Sequence, residues 1–196
     1  MQQKRDLPVN QEQQKETIER LVERVQAGEM SAFSALYEHY VEKVYRYFYF
    51  KTSQEEAFDL TENVFLRVWE NIRQYQRKAD SSFAAWLFRV AHNLLVDHYR
   101  VQKPNLELDE RHPDQRLDNS PVLLAERSLS RRSLKVALGQ LKENYREVLT
   151  LSFLNGLSNE EVARVLNRSE GTLRVLKFRA LRELKKILEE MGIKYQ

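Results

Sequence analysis

The stretch that decides the fold is "LSNEEVARVLNRSEGTLRVLKFRALREL", Leu157 to Leu184. Ser158 followed three residues later by Glu161 forms a capping box, and Leu157 and Val162 are spaced as its hydrophobic staple. Val162, Ala163, Val165 and Leu166 give the first helix an apolar side, with Ala163 small enough for a close crossing. "NRS" makes the turn, and Ser169 caps a second helix. At ~100° per residue, Leu173, Ala180 and Leu184 share one face of that helix, flanked by Leu176 on one side and by Lys177 and Leu181 on the other. The opposite face carries Arg174, Val175, Phe178, Arg179, Arg182, Lys185 and Lys186.

A basic helix face is ordinarily just a solvated one. Here the capped first helix, the short turn and a Phe set among arginines turn the reading toward DNA. Arginine pairs with guanine edges in a major groove, and apolar side chains meet thymine methyls there.

Upstream, helical periodicity returns four times. Ile18, Leu21, Val22 and Val25 define a helix from Glu16 to Ala27, stopped by Gly28. A second begins after Ser31, with Phe33, Leu36, Tyr37, Tyr40, Val41, Val44 and Phe48 on its stripe. A third runs from Gln54 to Gln74 on Ala57, Leu60, Val64, Val68 and Ile72. It has apolar residues to spare, since Phe58, Phe65, Leu66 and Trp69 point away from that stripe. A fourth opens at Ser81 or Ser82 and reaches Tyr99. Away from its own stripe lie Arg89, Asn93, Val96 and Arg100, with Trp86 and His92 at the margins. Aromatic, amide and basic groups together suit single-stranded DNA, where stacking contributes ~1–3 kcal/mol per base. "YRYFYF", Tyr45 to Phe50, reads as core and interhelical packing rather than a stacking platform.

Between the helical halves, "KPNLELDERHPDQRLDNSPV" holds three of the four prolines, and five acidic residues against three basic ones. It reads as an extended linker. The expected organisation is all-α: a polar tail at 1–15, a helical domain at 16–102, an acidic linker at 103–124 and a second helical domain at 125–196. The relative placement of the domains stays open.

The 196 residues contain no cysteine, so disulfides, thiolate chemistry and cysteine-bound zinc are excluded. None of the four histidines stands at i,i+4 with another, and there is no P-loop, Rossmann glycine pattern or legible Ser/His/Asp set. No cofactor, metal or catalytic residue is expected. The first 30 residues lack a signal-peptide core, and no window approaches the ~18 apolar residues of a membrane span. A cytoplasmic protein without membrane insertion is the expectation. The net charge of +3 says little about partners.

Extended upstream to "LGQLKENYREVLTLSFLNG", the opening stretch resembles region 4 of bacterial sigma factors through "LS-x-x-E-x-A-x-x-L" and "G-T-L-R". "AFSALYEHYVEKVYRYFYF", "DLTENVFLRVWENIRQY" and "FAAWLFRVAHNLLVDHYR" resemble sigma region 2, in order. Regions 2 and 4 without a region 3 domain are similar to the extracytoplasmic-function (ECF) class. The resemblance implies a partner of core RNA polymerase that reads a two-part promoter. It places Thr172, Arg174, Val175, Phe178, Arg179 and Arg182 on duplex −35 DNA. It places Trp86, Arg89, Asn93, Arg100 and Lys78, the last in the loop "QRKADSS", on the unpaired −10 strand. It places Asp59, Glu62, Asn63, Leu66 and Trp69 against the clamp coiled coil of the polymerase, with the flap of the beta subunit as a further contact and an anti-sigma factor as a further partner. Relatives usually carry Gln at Glu62 and an acidic residue at Asn63. They carry a small polar residue at Val175, a basic one at Leu176 and an apolar one at Lys177. Val175, Leu176 and Phe178 would thus make the reading face unusually apolar. Two other readings fit the residues alone: a two-domain regulator that binds an operator without joining polymerase, and a helical scaffold that binds no DNA.

Overall fold

The structure, a computed structural model, describes residues 11–77, 82–102 and 125–193, with side chains at 17–77, 82–101 and 132–193. The linker 103–124, the first ten residues and Lys78 lie outside the described residues. Among the described residues all regular structure is helical: two small all-α domains, four helices in each.

In the first domain, α1 spans Gln11–Gln26, α2 Met30–Tyr49, α3 Gln54–Asn71 and α4 Phe83–Gln102. Helix α1 starts one turn earlier than expected, taking in residues assigned to the tail; their Gln, Lys and Glu side chains are good helix formers. Gly28 ends this segment at φ +95°, where an L side chain would be strained. Ser31 does not cap α2. Its hydroxyl bonds back to Glu29, which takes the N-cap position and is also held by Arg24. Ser53 and Glu56 close a capping box on α3, and α3 tightens into a 3₁₀ turn at Ile72–Gln74. The apolar stripes meet in one core, in which Val44, Tyr47, Phe48, Val64, Leu87 and Phe88 are fully buried. Each such side chain contributes ~1.5–3 kcal/mol on leaving water. "YRYFYF" packs as expected: Tyr47, Phe48 and Phe50 are buried, Tyr45 and Tyr49 half-buried.

In the second domain, α5 spans Ala125–Gly139 and α6 Glu143–Leu149. Helix α6 runs on into a π-helical turn at Thr150–Leu154, which periodicity did not announce. Then α7 (Asn159–Val165) and α8 (Glu170–Glu190) form the helix-turn-helix. The Ser158/Glu161 capping box is present, Asn167 takes the left-handed turn at φ 51°, and Ser169 Oγ accepts from the Thr172 N–H at 3.3 Å. Each cap contributes about 1 kcal/mol.

Candidate nucleic-acid interface

Leu173 and Ala180 are fully buried and seat α8 on the rest of its domain. That rotation turns Thr172, Arg174, Val175, Phe178, Arg179 and Arg182 to solvent together. Val175 is 52% and Phe178 68% exposed, and neither has another helix over it. Arg174 makes only a 3.4 Å pair with Glu170 one turn back, so its guanidinium remains presented outward. The face is therefore a basic row with two apolar side chains inside it, the mixture that suits base edges and thymine methyls.

Leu176 does not belong to this row. It is half-buried against the core, so the apolar surplus of the face comes from Val175 and Phe178 alone. Lys177 turns sideways, donating to Asn159 Oδ1 at 3.1 Å and standing 4.7 Å over the Phe153 ring. The departure of these two positions from the family pattern is thus a matter of packing more than of reading chemistry.

On α4, Arg89, Asn93, Val96 and Arg100 are exposed on one side. Trp86 is half-buried in an aromatic group, 5.3 Å from the Tyr75 ring and 5.6 Å from Phe83. Its remaining exposed part borders the Arg89 side. Behind it sits a residue that sequence reasoning missed. Glu19 of α1 is buried, accepts from the Phe83 N–H at 2.9 Å and from the Tyr75 hydroxyl at 3.2 Å, and so pins the start of α4 to the end of α3. Burial, then the Glu19 charge, raises the Tyr75 phenol above its ordinary pKa and keeps it a donor. Gln26 adds bonds to the carbonyls of Ile72 and Tyr75. Nothing local marks Glu19 or Gln26 as special, because their partners lie about fifty residues away. His92 faces away from the Arg89 row, toward Glu147 at 3.1 Å.

On α3, Asp59, Glu62 and Asn63 are exposed around Leu66, which is 57% exposed, and Trp69, whose ring edge meets Phe33 at 4.9 Å. Phe58 is exposed beside Tyr45. Phe65 instead turns inward and packs on Tyr37 at 4.7 Å, so it is core and not part of this surface. Apolar anchors within a polar rim make up a protein-docking surface. Among the described residues no group of three or more His, Asp or Glu could hold a metal, and no helix is long and apolar enough to cross a membrane.

Comparison with known proteins matches the same two segments. The family model for sigma-70 region 2 matches residues 36–104, and that for sigma-70, region 4 matches residues 131–184. The chain is 38% identical over 173 residues to the ECF RNA polymerase sigma factor BldN of Streptomyces coelicolor, covering 87% of this chain and 65% of that protein. It is 30% identical to the ECF RNA polymerase sigma factor SigM of Bacillus subtilis, covering 76% of this chain and 91% of the relative. Among solved structures, that of CnrH in complex with the cytosolic domain of CnrY aligns with TM-score 0.63 and 25% identity, over 87% of this chain and 96% of that one.

The last match corrects one expectation. A purely cytoplasmic placement is not upheld: the solved structure that this chain resembles is of CnrH in complex with the cytosolic domain of CnrY. The alternative reading, a regulator independent of polymerase, falls. Both halves match sigma regions in order, and a relative at 30% identity is spanned over 91% of its length. The chain therefore belongs to the extracytoplasmic-function class of the sigma-70 family, as a promoter-specificity factor for core RNA polymerase and not an enzyme.

Proposed function

We propose that the three exposed faces divide the work of initiation. The α8 row of Thr172, Arg174, Val175, Phe178, Arg179 and Arg182 reads duplex −35 DNA. Arg89, Asn93 and Arg100, with Trp86 and Lys78, hold the unpaired −10 strand. Asp59, Glu62, Asn63, Leu66 and Trp69 dock on the clamp coiled coil of the polymerase, and the second domain meets the flap. In this division residues 16–102 form the docking and −10 unit, 103–124 the connector and 125–196 the −35 unit. An anti-sigma factor is a further partner, an assignment supported by the likeness to CnrH.

The observation that carries the reading is Phe178, held at 68% exposure between Arg174, Arg179 and Arg182 on a helix otherwise well seated. A large apolar side chain so placed is stabilised by contact with a partner and not by water. The reading is tested by reconstituting the protein with its native core polymerase on genomic DNA and mapping transcript starts. New starts that share a two-part upstream sequence are expected; starts no different from those of core alone would sink it.

A further inference from the structure

Helix α1 contributes no residue to the three exposed faces, yet it carries two polar side chains turned away from solvent. Glu19 and Gln26 fall on one side of the helix with the buried Val22. Glu19 is 6% exposed, and a carboxylate so buried needs donors aimed at it. It finds them across the chain: Oε1 accepts from the Phe83 N–H at 2.9 Å and Oε2 from the Tyr75 hydroxyl at 3.2 Å. Two turns further along α1, Gln26 Nε2 donates to the carbonyls of Ile72 and Tyr75 at 2.8 and 2.7 Å. These partners lie where helix ends leave backbone groups unsatisfied, at the last carbonyls of the α3 segment and the first N–H groups of α4. Ser82 Oγ accepts from the Ala85 N–H at 3.2 Å, so the first turn of α4 is capped once locally and once from α1.

The consequence reaches Trp86, one turn into α4. Its ring lies 5.3 Å from Tyr75 and 5.6 Å from Phe83, and those two rings meet edge to face at 5.6 Å. Glu19 holds Phe83 by its backbone and Tyr75 by its hydroxyl, and these are the two rings that back the half-buried indole. An aromatic side chain that must stack on a base binds better when it is already fixed, because the entropy of ordering it is not lost at capture.

We propose that Glu19 is a positioning residue for capture of the −10 strand: from α1 it fixes Tyr75 and Phe83, and through them the Trp86 indole, before DNA arrives. The link to strand capture rests on the −10 reading of Trp86 given above; the hold on the indole does not. Being buried, Glu19 itself touches no base, so its whole effect on DNA must pass through Trp86.

The test uses the full-length protein, alone and in holoenzyme. In a Trp69→Phe background Trp86 is the one tryptophan left, and its time-resolved fluorescence anisotropy reports how firmly the indole is held. Glu19→Met, close in size but without an acceptor, should enlarge the fast loss of anisotropy. Glu19→Gln, whose amide oxygen still accepts, should keep the slow decay. In holoenzyme with Trp69 intact, Glu19→Met should weaken binding to a premelted −10 bubble by ~3–10-fold. Affinity for core polymerase and for −35 duplex should stay unchanged, and Glu19→Gln should bind the bubble normally. The loss should vanish when Trp86→Ala is already present. Tyr75→Phe deletes one hydroxyl and leaves both rings; it should show a smaller loss of the same kind, and it decides the matter if Glu19→Met does not fold. Unchanged Trp86 anisotropy in the folded variants would overturn the positioning role. So would a bubble defect that Glu19→Gln shares, or one that adds in full to that of Trp86→Ala. If Trp86→Ala alone leaves bubble binding unchanged, the −10 reading of Trp86 fails and the link to strand capture with it, while the anisotropy still decides whether Glu19 holds the indole.

Discussion

Ser82 donates from Oγ to Glu161 Oε1 at 2.5 Å, while the other oxygen of the same carboxylate accepts from the Ser158 N–H at 2.8 Å. Ser82 Oγ also accepts from the Ala85 N–H at the start of α4. One acidic side chain thus ties the start of α4 to the start of the helix-turn-helix, across 79 residues of sequence. Ser158→Ala should cost about 1 kcal/mol of stability through the lost cap alone. Ser82→Ala and Glu161→Ala, combined in a double-mutant cycle by urea denaturation, should show a coupling of roughly 0.5–3 kcal/mol. Additive effects would mean that the contact between them carries no energy.

Buried and exposed apolar positions separate cleanly on α8. Leu173 is fully buried and Phe178 largely exposed, five residues apart on one helix. Leu173→Ala should destabilise by ~2–5 kcal/mol and abolish −35 binding by unfolding the motif. Phe178→Ala should change stability by no more than ~0.5 kcal/mol yet weaken binding to the cognate −35 duplex. Thermal melts beside DNA titrations distinguish the two, and a Phe178→Ala variant that melts early but binds normally would reverse the assignment.

Arg174→Ala and Arg179→Ala should each weaken cognate −35 recognition by ~1–3 kcal/mol if bidentate to a base. Affinity for core polymerase should stay unchanged, since both side chains are exposed on α8 and neither belongs to the α3 surface. Parallel measurements on core polymerase and on −35 duplex check this; equal loss in both would remove these arginines from the DNA face.

What was legible in the sequence follows the range of the interaction that fixes it. The Ser158/Glu161 box and the Leu173/Ala180 seat are set within one or two helical turns, and spacing alone finds them. The wheel set Leu176 at the flank of its stripe and Phe65 off its stripe altogether, yet the structure turns both inward, because neighbouring helices cover more of each helix than one stripe. Glu147 and Lys51 were invisible, because Glu147 on α6 and Lys51 in the turn after α2 each look locally like an ordinary surface charge. Only the docking of residues 96 apart makes them a buried pair. Glu19 was missed for the same reason.

The titration of Glu147 has a defined direction. Burial pushes its carboxyl up, but the Lys51 ammonium and the His92 contact outweigh this and bring it from 4.5 down to about 2. Its folded pKa lies below its unfolded value. The carboxylate therefore contributes stability in full above about 4.5, and that contribution is lost as pH falls through about 2. Denaturation measured from pH 6 downward should show stability declining on this acid limb. Glu147→Gln should flatten the decline, and an acid limb of undiminished slope in that variant would assign it to other carboxylates.

Asn93 lies exposed on α4 between Arg89 and Val96, one turn beyond Arg89 and clear of the domain junction that His92 enters. An amide there offers both donor and acceptor to a base edge that is reachable only when the strand is unpaired. Asn93→Ala should therefore leave stability and core binding intact, slow open-complex formation on duplex promoters and weaken binding of polymerase holoenzyme to a premelted bubble with the same −10 bases. The bubble is the decisive substrate, because it removes the energy of melting and leaves only capture of the strand. If the variant holds the bubble with wild-type affinity, Asn93 does not touch the bases, and its place on this face would then serve the melting step alone.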